Sequence, residues 1–183
     1  MILAGMFVSC ENDLGKIQRV TATDDTPSEI VEGLHTMFSD SGKIKFEIIA
    51  SRMERYTGED ERQLFKNGFE VNFFGNDGSK TATLSADYGE LRELKKAFNA
   101  RNNVIFTNYK EGQTLKTEEL FWDQALKKVR TDKYFEITDT DGYWARGYGM
   151  ESDETFSKFT MHDVTAQYEG ERHEPETEPS ESK

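Results

Sequence analysis

The chain has 183 residues, of which 23 are Lys or Arg and 35 are Asp or Glu, so its formal net charge is −12. This length suits one domain with tethers, and an aromatic content of 12% is enough to build a buried core. The acidic balance argues against a nucleic-acid binder, because neutralising phosphates takes clustered Lys and Arg.

The first nine residues are uncharged and mostly apolar, and they lead to the single cysteine, Cys10. This run is too short for a bilayer, which takes about 20 apolar residues, and it fits the end of a signal peptide at residues 1–9. The sequence Phe7-Val8-Ser9-Cys10 resembles a bacterial lipobox, whose cysteine is acylated and becomes the mature N-terminus. We therefore expect Cys10 to be a lipid-attachment site, and a buried free cysteine is the alternative.

The polar segments that flank the central region predict tethers. Residues 10–33 are expected to be a lipid-anchored spacer, and a short helix capped by Ser28 over residues 29–32 is the alternative. Residues 169–183 hold six Glu and no apolar residue, which predicts an acidic disordered tail. A lipoprotein of this kind would lie in the periplasm, with anchoring in the inner membrane favoured over the outer membrane.

Between residues 34 and 168, apolar and polar residues alternate with a period of two, which is typical of half-buried strands. Ile44, Phe46 and Ile48 share one strand face. Two further inward sets follow the same pattern, and these are Phe69, Val71 and Phe73, then Phe135 with Ile137. Turn-forming residues separate the runs at 40–42, 76–78, 111–112 and 141–142.

Hairpins recur along this region at a period of about 30–35 residues. Three inward positions mark the repeat, since Phe69 and Val104 are 35 residues apart and Val104 and Phe135 are 31 apart. Each hairpin of such a repeat buries its apolar face against the next one. The sequence therefore predicts an all-β fold, an open antiparallel structure with two walls.

The residue patterns do not indicate an enzyme. The three histidines, His35, His162 and His173, are scattered, and no nucleophile motif is present. The segment 139–142 resembles part of a calcium loop, but carboxylates are missing from its first and twelfth positions. We expect no catalytic residue, no metal site and no cofactor.

The lipobox, the hairpin period and the Phe-rich face together resemble the LptC family of lipopolysaccharide export proteins, within the wider LptA/OstA-like group. The resemblance covers residues 34–168. The segments that carry it are 102–106, 113–123, 129–132 and 145–153.

The resemblance implies an open antiparallel β-jellyroll at residues 34–168 with an apolar interior groove. It implies that the protein receives lipopolysaccharide from an inner-membrane ABC transporter, LptB–LptF–LptG. The cargo would then pass to a periplasmic LptA-like bridge protein, with its acyl chains shielded in the groove.

Twelve inward residues are expected as a set to line this groove, although plain core packing is the simpler explanation for any single one of them. They are Ile44, Phe46, Ile48, Phe69, Val71, Phe73, Leu84, Val104, Phe106, Leu115, Phe135 and Ile137. By analogy with the family, seven residues would lie at the edges where similar jellyrolls dock. They are Leu34, Thr36 and Phe38 on the transporter side and Phe156, Phe159, Met161 and Val164 on the bridge side.

A second hypothesis is a surface lipoprotein that binds glycans or protein partners through exposed aromatic side chains such as Trp122 and Trp144. It would keep a sealed core and carry its aromatics on an outer face. A conduit for lipid would instead show an open apolar groove.

Overall fold

A computed structural model describes residues 26–156 and 158–168, and it confirms the predicted all-β fold. Eleven strands form one antiparallel sheet in the order β1-β2-β3-β4-β6-β7-β8-β9-β10, with β5 between β3 and β6 and with β11 beside β9. The strands are β1 Glu29–Asp40, β2 Lys43–Tyr56, β3 Arg62–Phe74, β4 Lys80–Ala86, β5 Tyr88–Arg92, β6 Ala97–Asn108, β7 Gln113–Asp123, β8 Lys128–Asp139, β9 Tyr143–Asp153, β10 Phe159–Met161 and β11 Thr165–Tyr168. A single 3₁₀ turn, Glu93–Lys95, joins β5 to β6.

The repeated hairpins predicted from the sequence are present. Strands β3 and β4 pair antiparallel, as do β6 with β7 and β8 with β9. The predicted turns join them, and Gly142 between β8 and β9 has a φ of 87°, a conformation that glycine adopts without steric cost. The tight turns and the alternating side chains thus specify the local pairing.

Most of the long strands are interrupted near their middle, and these interruptions lie side by side across the sheet. The pairing register shifts between Ala50 and Arg52 in β2, and comparable shifts occur in β6, β7 and β8. Left-handed residues mark the same level in β1, β3, β6 and β9. They are Gly33, Asn67, Gly68, Asn102, Asn103 and Gly149. We call this row of irregularities the fold line.

Asp87, which separates β4 from β5, connects the interruptions on its two sides. Its carbonyl oxygen accepts from the amide N of Gly68 at 2.9 Å, and its own amide N donates to the carbonyl oxygen of Asn102 at 3.0 Å. The side-chain amide of Asn103 donates to Asp87 Oδ2 at 2.6 Å. These bonds satisfy backbone groups that the interrupted ladder leaves unpaired.

The sheet folds along this line, so that its two halves face each other as two walls. The first wall contains 52–56, 62–66, 88–92, 97–101, 119–123, 128–131 and 150–153, with β10 at its edge. The second wall contains 43–50, 69–74, 80–86, 104–108, 113–117, 134–139 and 143–148, with β11 at its edge. Strand β1 pairs with β2 along both walls.

The core lies between the two walls. Phe135, Ile137, Met150 and Val104 are its largest fully buried side chains. The ring of Phe69 in the second wall meets the ring of Phe98 in the first wall edge-on, at 5.7 Å between centroids. Apolar side chains of the two walls therefore exclude water from each other, which is the main stabilising term for such a fold.

Two expectations about the N-terminal part are wrong. Strand β1 begins at Glu29, so residues 29–33 belong to the fold and not to a spacer or a helix. Ser28 instead prolongs the pairing, because its amide N donates to the carbonyl oxygen of Arg55 at 2.8 Å. Ile44 is exposed rather than inward, because the pairing between β2 and β3 begins only at Phe46, so β3 does not extend over the hairpin tip.

The outer face of the first wall carries a network of ion pairs around a buried carboxylate. Glu54 is 5% exposed and accepts from Arg52 Nε at 2.8 Å, Tyr56 Oη at 2.8 Å and Lys66 Nζ at 2.7 Å. Chiefly the hydrogen bond from Lys66 lowers the pKa of Glu54 to about 2, with further help from Arg52 and Tyr56 against the opposing effect of burial. The charged form is therefore the one that the fold requires.

Candidate ligand-binding groove

A cavity of about 450 Å³ lies between the walls, towards the strand ends that are remote from the fold line. The second wall contributes Phe73, Thr81, Ala82, Leu84, Phe106 and Asn108, and the first wall contributes Phe98, Leu120, Trp122 and Val129. Loop residues complete the lining, and these are Lys110, Glu111, Glu154, Thr155 and Phe156. Its volume falls within the range of about 300–1,000 Å³ that is usual for ligand pockets.

The cavity has apolar walls because of the strand period. Phe73 and Leu84 occupy inward positions of β3 and β4, and Leu120 and Trp122 occupy alternate positions of β7. Near the fold line the two walls pack against each other, whereas here they diverge and leave space. The charged side chains of Lys110, Glu111 and Glu154 belong to connecting loops. An elongated apolar ligand with a polar end would match this distribution.

A short segment, Asp153 to Phe156, closes one side of the cavity, and we call it the strap. It leaves the end of β9 in a turn in which the amide N of Phe156 donates to the carbonyl oxygen of Asp153 at 3.1 Å. The hydroxyl of Thr155 donates to Asp153 Oδ1 at 3.0 Å. The strap therefore belongs to the first wall but reaches across to the second.

Asn108 holds the strap from the second wall. Its Nδ2 donates to the carbonyl oxygen of Thr155 at 3.2 Å. Its Oδ1 accepts from the backbone amides of Lys110 and Glu111 at 3.0 and 3.2 Å, which orders the turn between β6 and β7. This 7% exposed side chain thus satisfies groups on both walls at the rim of the cavity.

The structure separates the twelve predicted groove residues into three groups. Phe73, Leu84 and Phe106 line the cavity. Eight others pack in or against the core, and they are Phe46, Ile48, Phe69, Val71, Val104, Leu115, Phe135 and Ile137. The remaining one is the exposed Ile44.

The sequence pattern did not identify the cavity-lining residues of the first wall. Phe98, Leu120, Trp122 and Val129 all line the cavity, yet none of them was predicted to be a groove residue. A signal was available in β6, where Phe98 and Ala100 have the same alternation as Val104 and Phe106, on the far side of Asn102 and Asn103.

The residues predicted for the transporter side lie on an open edge. Leu34, Thr36 and Phe38 belong to β1, which pairs only with β2 among the described residues. Phe38 is 52% exposed, and its ring stacks on that of Phe46 at 4.9 Å between centroids. An apolar strip thus continues from the core to this edge.

The residues predicted for the opposite side differ in exposure. Phe159 and Met161 are half-buried in β10, and Val164 is exposed between β10 and β11. Phe156 does not lie on the surface, because its ring is 4% exposed and stacks on Phe106 within the fold. It is therefore not presented to a partner in this conformation.

The two tryptophans do not form one exposed platform. Trp122 lines the cavity, and only Trp144 lies on the outer face, where the guanidinium of Arg146 sits 5.0 Å from its ring centroid. This arrangement does not favour glycan binding through paired outer aromatics.

Within residues 26–156 and 158–168, no group of three or more His, Cys, Asp or Glu side chains could hold a metal ion. In the same part of the chain, no helix has the length and apolarity to cross a bilayer. The predicted lipid site Cys10, the signal peptide at residues 1–9 and the acidic tail at 169–183 lie outside the described residues.

An antiparallel sheet folded around an apolar cavity, open at its strand edges, defines the class of jellyroll-like β-proteins with a hydrophobic groove. The chain belongs to the LptC family, since the family model described as "Lipopolysaccharide-assembly, LptC-related" matches residues 1–169. The family has a role in lipopolysaccharide transport and assembly. No curated protein matches the chain.

Proposed function

We propose that this protein is a non-enzymatic conduit that binds the acyl chains of lipopolysaccharide in its groove. It receives the lipid from the inner-membrane ABC transporter LptB–LptF–LptG and passes it to a periplasmic LptA-like bridge protein for assembly in the outer membrane. The observation that carries this proposal is the apolar cavity of about 450 Å³ between the two walls.

The energetics of the cavity suit a transient lipid carrier. Each methylene that leaves water contributes about 0.8 kcal/mol, so six buried methylenes contribute about 5 kcal/mol before entropy losses. The strand residues that line the cavity carry no charged side chain, and the charged lining residues Lys110, Glu111 and Glu154 lie in loops. Such diffuse binding allows transfer between similar grooves with a small change in free energy at each step.

The charge of the protein favours an arrangement with the headgroup outside. With a formal net charge of −12, the chain repels phosphate groups in general. The acidic side chains of Glu111 and Glu154 at the cavity rim also repel phosphate groups. We infer that acyl chains enter the groove while sugars and phosphates stay in solvent.

The open sheet edges provide docking sites for neighbouring jellyrolls. Strand β1 at one end and strands β10 and β11 at the other offer backbone N–H and C=O groups to which a further strand can add. We assign the β1 edge to the transporter side and the β10 and β11 edge to the bridge protein. Leu34, Phe38, Met161 and Val164 would then contact partners.

We further propose that the protein lies in the periplasm, anchored at Cys10 by lipid, with the inner membrane as the favoured location. Two acyl chains give stable anchoring at about 0.8 kcal/mol per buried methylene, whereas one chain is marginal. Mass spectrometry of the protein purified from its membrane would test the modification. An unmodified Cys10 thiol would contradict it.

Photo-crosslinking in cells that make lipopolysaccharide tests the conduit directly. A photoreactive residue is placed at Phe73 and at Phe106, which line the cavity, and at the outward neighbours Glu70 and Thr107 on the same strands as controls. The proposal expects lipopolysaccharide adducts at the first two positions and none at the controls. Adducts at no position, with the protein folded and present, would refute the conduit.

A further inference from the structure

The ring of Phe156 occupies space that would otherwise belong to the cavity. It stacks on Phe106 with 3.9 Å between centroids and an interplanar angle of 21°, and its centroid lies 6.3 Å from that of the tilted ring of Phe159. Phe156 and Phe106 are both part of the cavity lining. The ring thus covers the face of Phe106 with an apolar group, as a bound hydrocarbon chain would.

The backbone of Phe156 shows that this position is imposed by its contacts. Its φ is +56°, in the left-handed region that bulky side chains rarely adopt. Residues in such conformations persist when surrounding interactions hold them, and they cluster at sites that switch. Two of the interactions that hold it come from the second wall, and these are the stack on Phe106 and the hydrogen bond from Asn108 to Thr155.

Both holding interactions connect the strap to the second wall, whereas the strap is covalently continuous with the first wall through Asp153. Breaking these two contacts would release the strap from the second wall without disturbing the pairing of β8 with β9, which ends at Asp153. The ring of Phe156, which belongs to the core at the margin of the cavity, can therefore leave Phe106 while the pairing of β8 with β9 stays intact.

We propose that Phe156 is a plug that holds the place of an acyl chain, and that cargo enters by displacing its ring from Phe106. This inference rests on the proposed function. The protein without cargo then keeps its groove partly filled, and the apolar lining is protected from water and from unspecific partners. Cargo binding requires the open strap.

The plug has a measurable consequence for affinity. When only a fraction of the molecules has an open strap, the apparent dissociation constant equals the intrinsic one divided by that fraction. Minor conformers are commonly populated at about 0.1–10%, so removing the plug would tighten binding by about tenfold or more. The association rate of the wild type should also level off at high ligand concentration, since opening becomes limiting.

The two tryptophans allow a direct readout. In the full chain carrying Cys10→Ser and Trp144→Phe, Trp122 is the single indole, and it lines the same cavity as Phe156. A dibrominated octadecanoic acid that enters the cavity quenches the fluorescence of Trp122. Titration gives the affinity, and stopped-flow mixing gives the association rate.

Two variants release the plug in different ways. Phe156→Asn removes the ring but keeps a residue that tolerates a positive φ. Asn108→Asp removes the donor to Thr155 while its oxygens still accept from the amides of Lys110 and Glu111. The control is Phe73→Ala, which removes a lining ring that does not belong to the strap, and it should weaken binding.

We expect both release variants to bind the brominated acid about tenfold more tightly than the wild type, with association rates that rise linearly with ligand concentration. Affinities equal to that of the wild type, or a weaker affinity for Phe156→Asn, would overturn the plug while leaving the conduit intact. Absence of quenching in the wild type and in every folded variant would overturn the conduit and the plug together.

Discussion

The side-chain amide of Asn103 donates to the carboxylate of Asp87 at 2.6 Å, and this bond joins β6 to the junction of β4 and β5 at the fold line. Asp87 also exchanges backbone hydrogen bonds with Gly68 and Asn102. One residue therefore connects three strands at the level where the sheet turns from one wall into the other.

Asp87→Ala removes the acceptor for Asn103 and should lower the free energy of unfolding by about 1–3 kcal/mol, because a charged acceptor is lost from a hydrogen bond. Urea denaturation followed by circular dichroism measures this effect. Asp141→Ala, in the exposed turn between β8 and β9, is the control and should change stability by about 0.5 kcal/mol or less. Equal effects for the two variants would show that the side chain of Asp87 does not hold the fold line.

Gly147→Ala should destabilise the protein by about 1–3 kcal/mol through steric overlap. A Cβ atom at Gly147 would lie 2.8 Å from the carbonyl oxygen of Asp163 and 3.0 Å from that of His162, in the link between β10 and β11. Because those atoms are backbone, they cannot rotate away. Hydrogen exchange should show loss of protection in β10 and β11 first. Gly75→Ala provides the contrast, since a Cβ there would approach only side-chain atoms, the nearest being Asp77 Oδ1, which can rotate away.

The buried carboxylate of Glu54 makes stability depend on pH. Its pKa in the folded protein is about 2, below its ordinary value of 4.5, so its contribution is fully present above pH 4.5 and is lost as the pH falls towards 2. The shift corresponds to about 3 kcal/mol at most. Glu54→Gln should lower stability at pH 7 and flatten the loss of stability between pH 5 and 2.

A matched variant separates this effect from general acid denaturation. Glu32→Gln removes a carboxylate that also pairs with Arg52 but is 64% exposed, and it should cost about 1 kcal/mol or less at pH 7. Its pH profile should follow that of the wild type. If Glu54→Gln shows the same slope as Glu32→Gln in acid, the carboxylate of Glu54 is not the group that titrates.

Filling the cavity should weaken ligand binding without lowering the stability of the protein. Ala82→Phe places a ring into the space that Ala82 lines, and it should weaken binding of an acyl-chain probe by about tenfold, because apolar surface that the chain would cover is already buried. Thermal unfolding should be unchanged or shifted upward, since a cavity is filled. A probe affinity that survives this change would place the acyl chain elsewhere on the protein.

The strands and hairpins follow from local information in the sequence. The alternation in Phe69, Val71 and Phe73 needs only the period of an extended chain, and a turn such as the one at Gly142 needs only residues that tolerate a positive φ. The resemblance to the LptC family also rests on short segments, and the family match confirms it. These features depend on contacts between residues that are close in the chain or in one hairpin.

The groove could be predicted only in part for a physical reason. Phe73 and Phe135 look alike in the sequence, since both occupy inward positions of a strand pattern with a period of two. Yet Phe73 lines the cavity and Phe135 is fully buried. The distance between the walls decides this difference, and that distance depends on where the fold line crosses every strand. Asn102 and Asn103 mark that crossing in β6, and the inward positions Phe98, Ala100, Val104 and Phe106 keep one alternation on both sides of it.

The amino-acid sequence by itself therefore determined the all-β class, the paired hairpins and the family, because period, turn chemistry and short motifs act locally. Only the tertiary structure decided which inward side chains are core and which line the cavity, and it placed Phe156 inside against Phe106. These outcomes arise where segments distant in the chain meet across the two walls, and the packing there is set by all strands together.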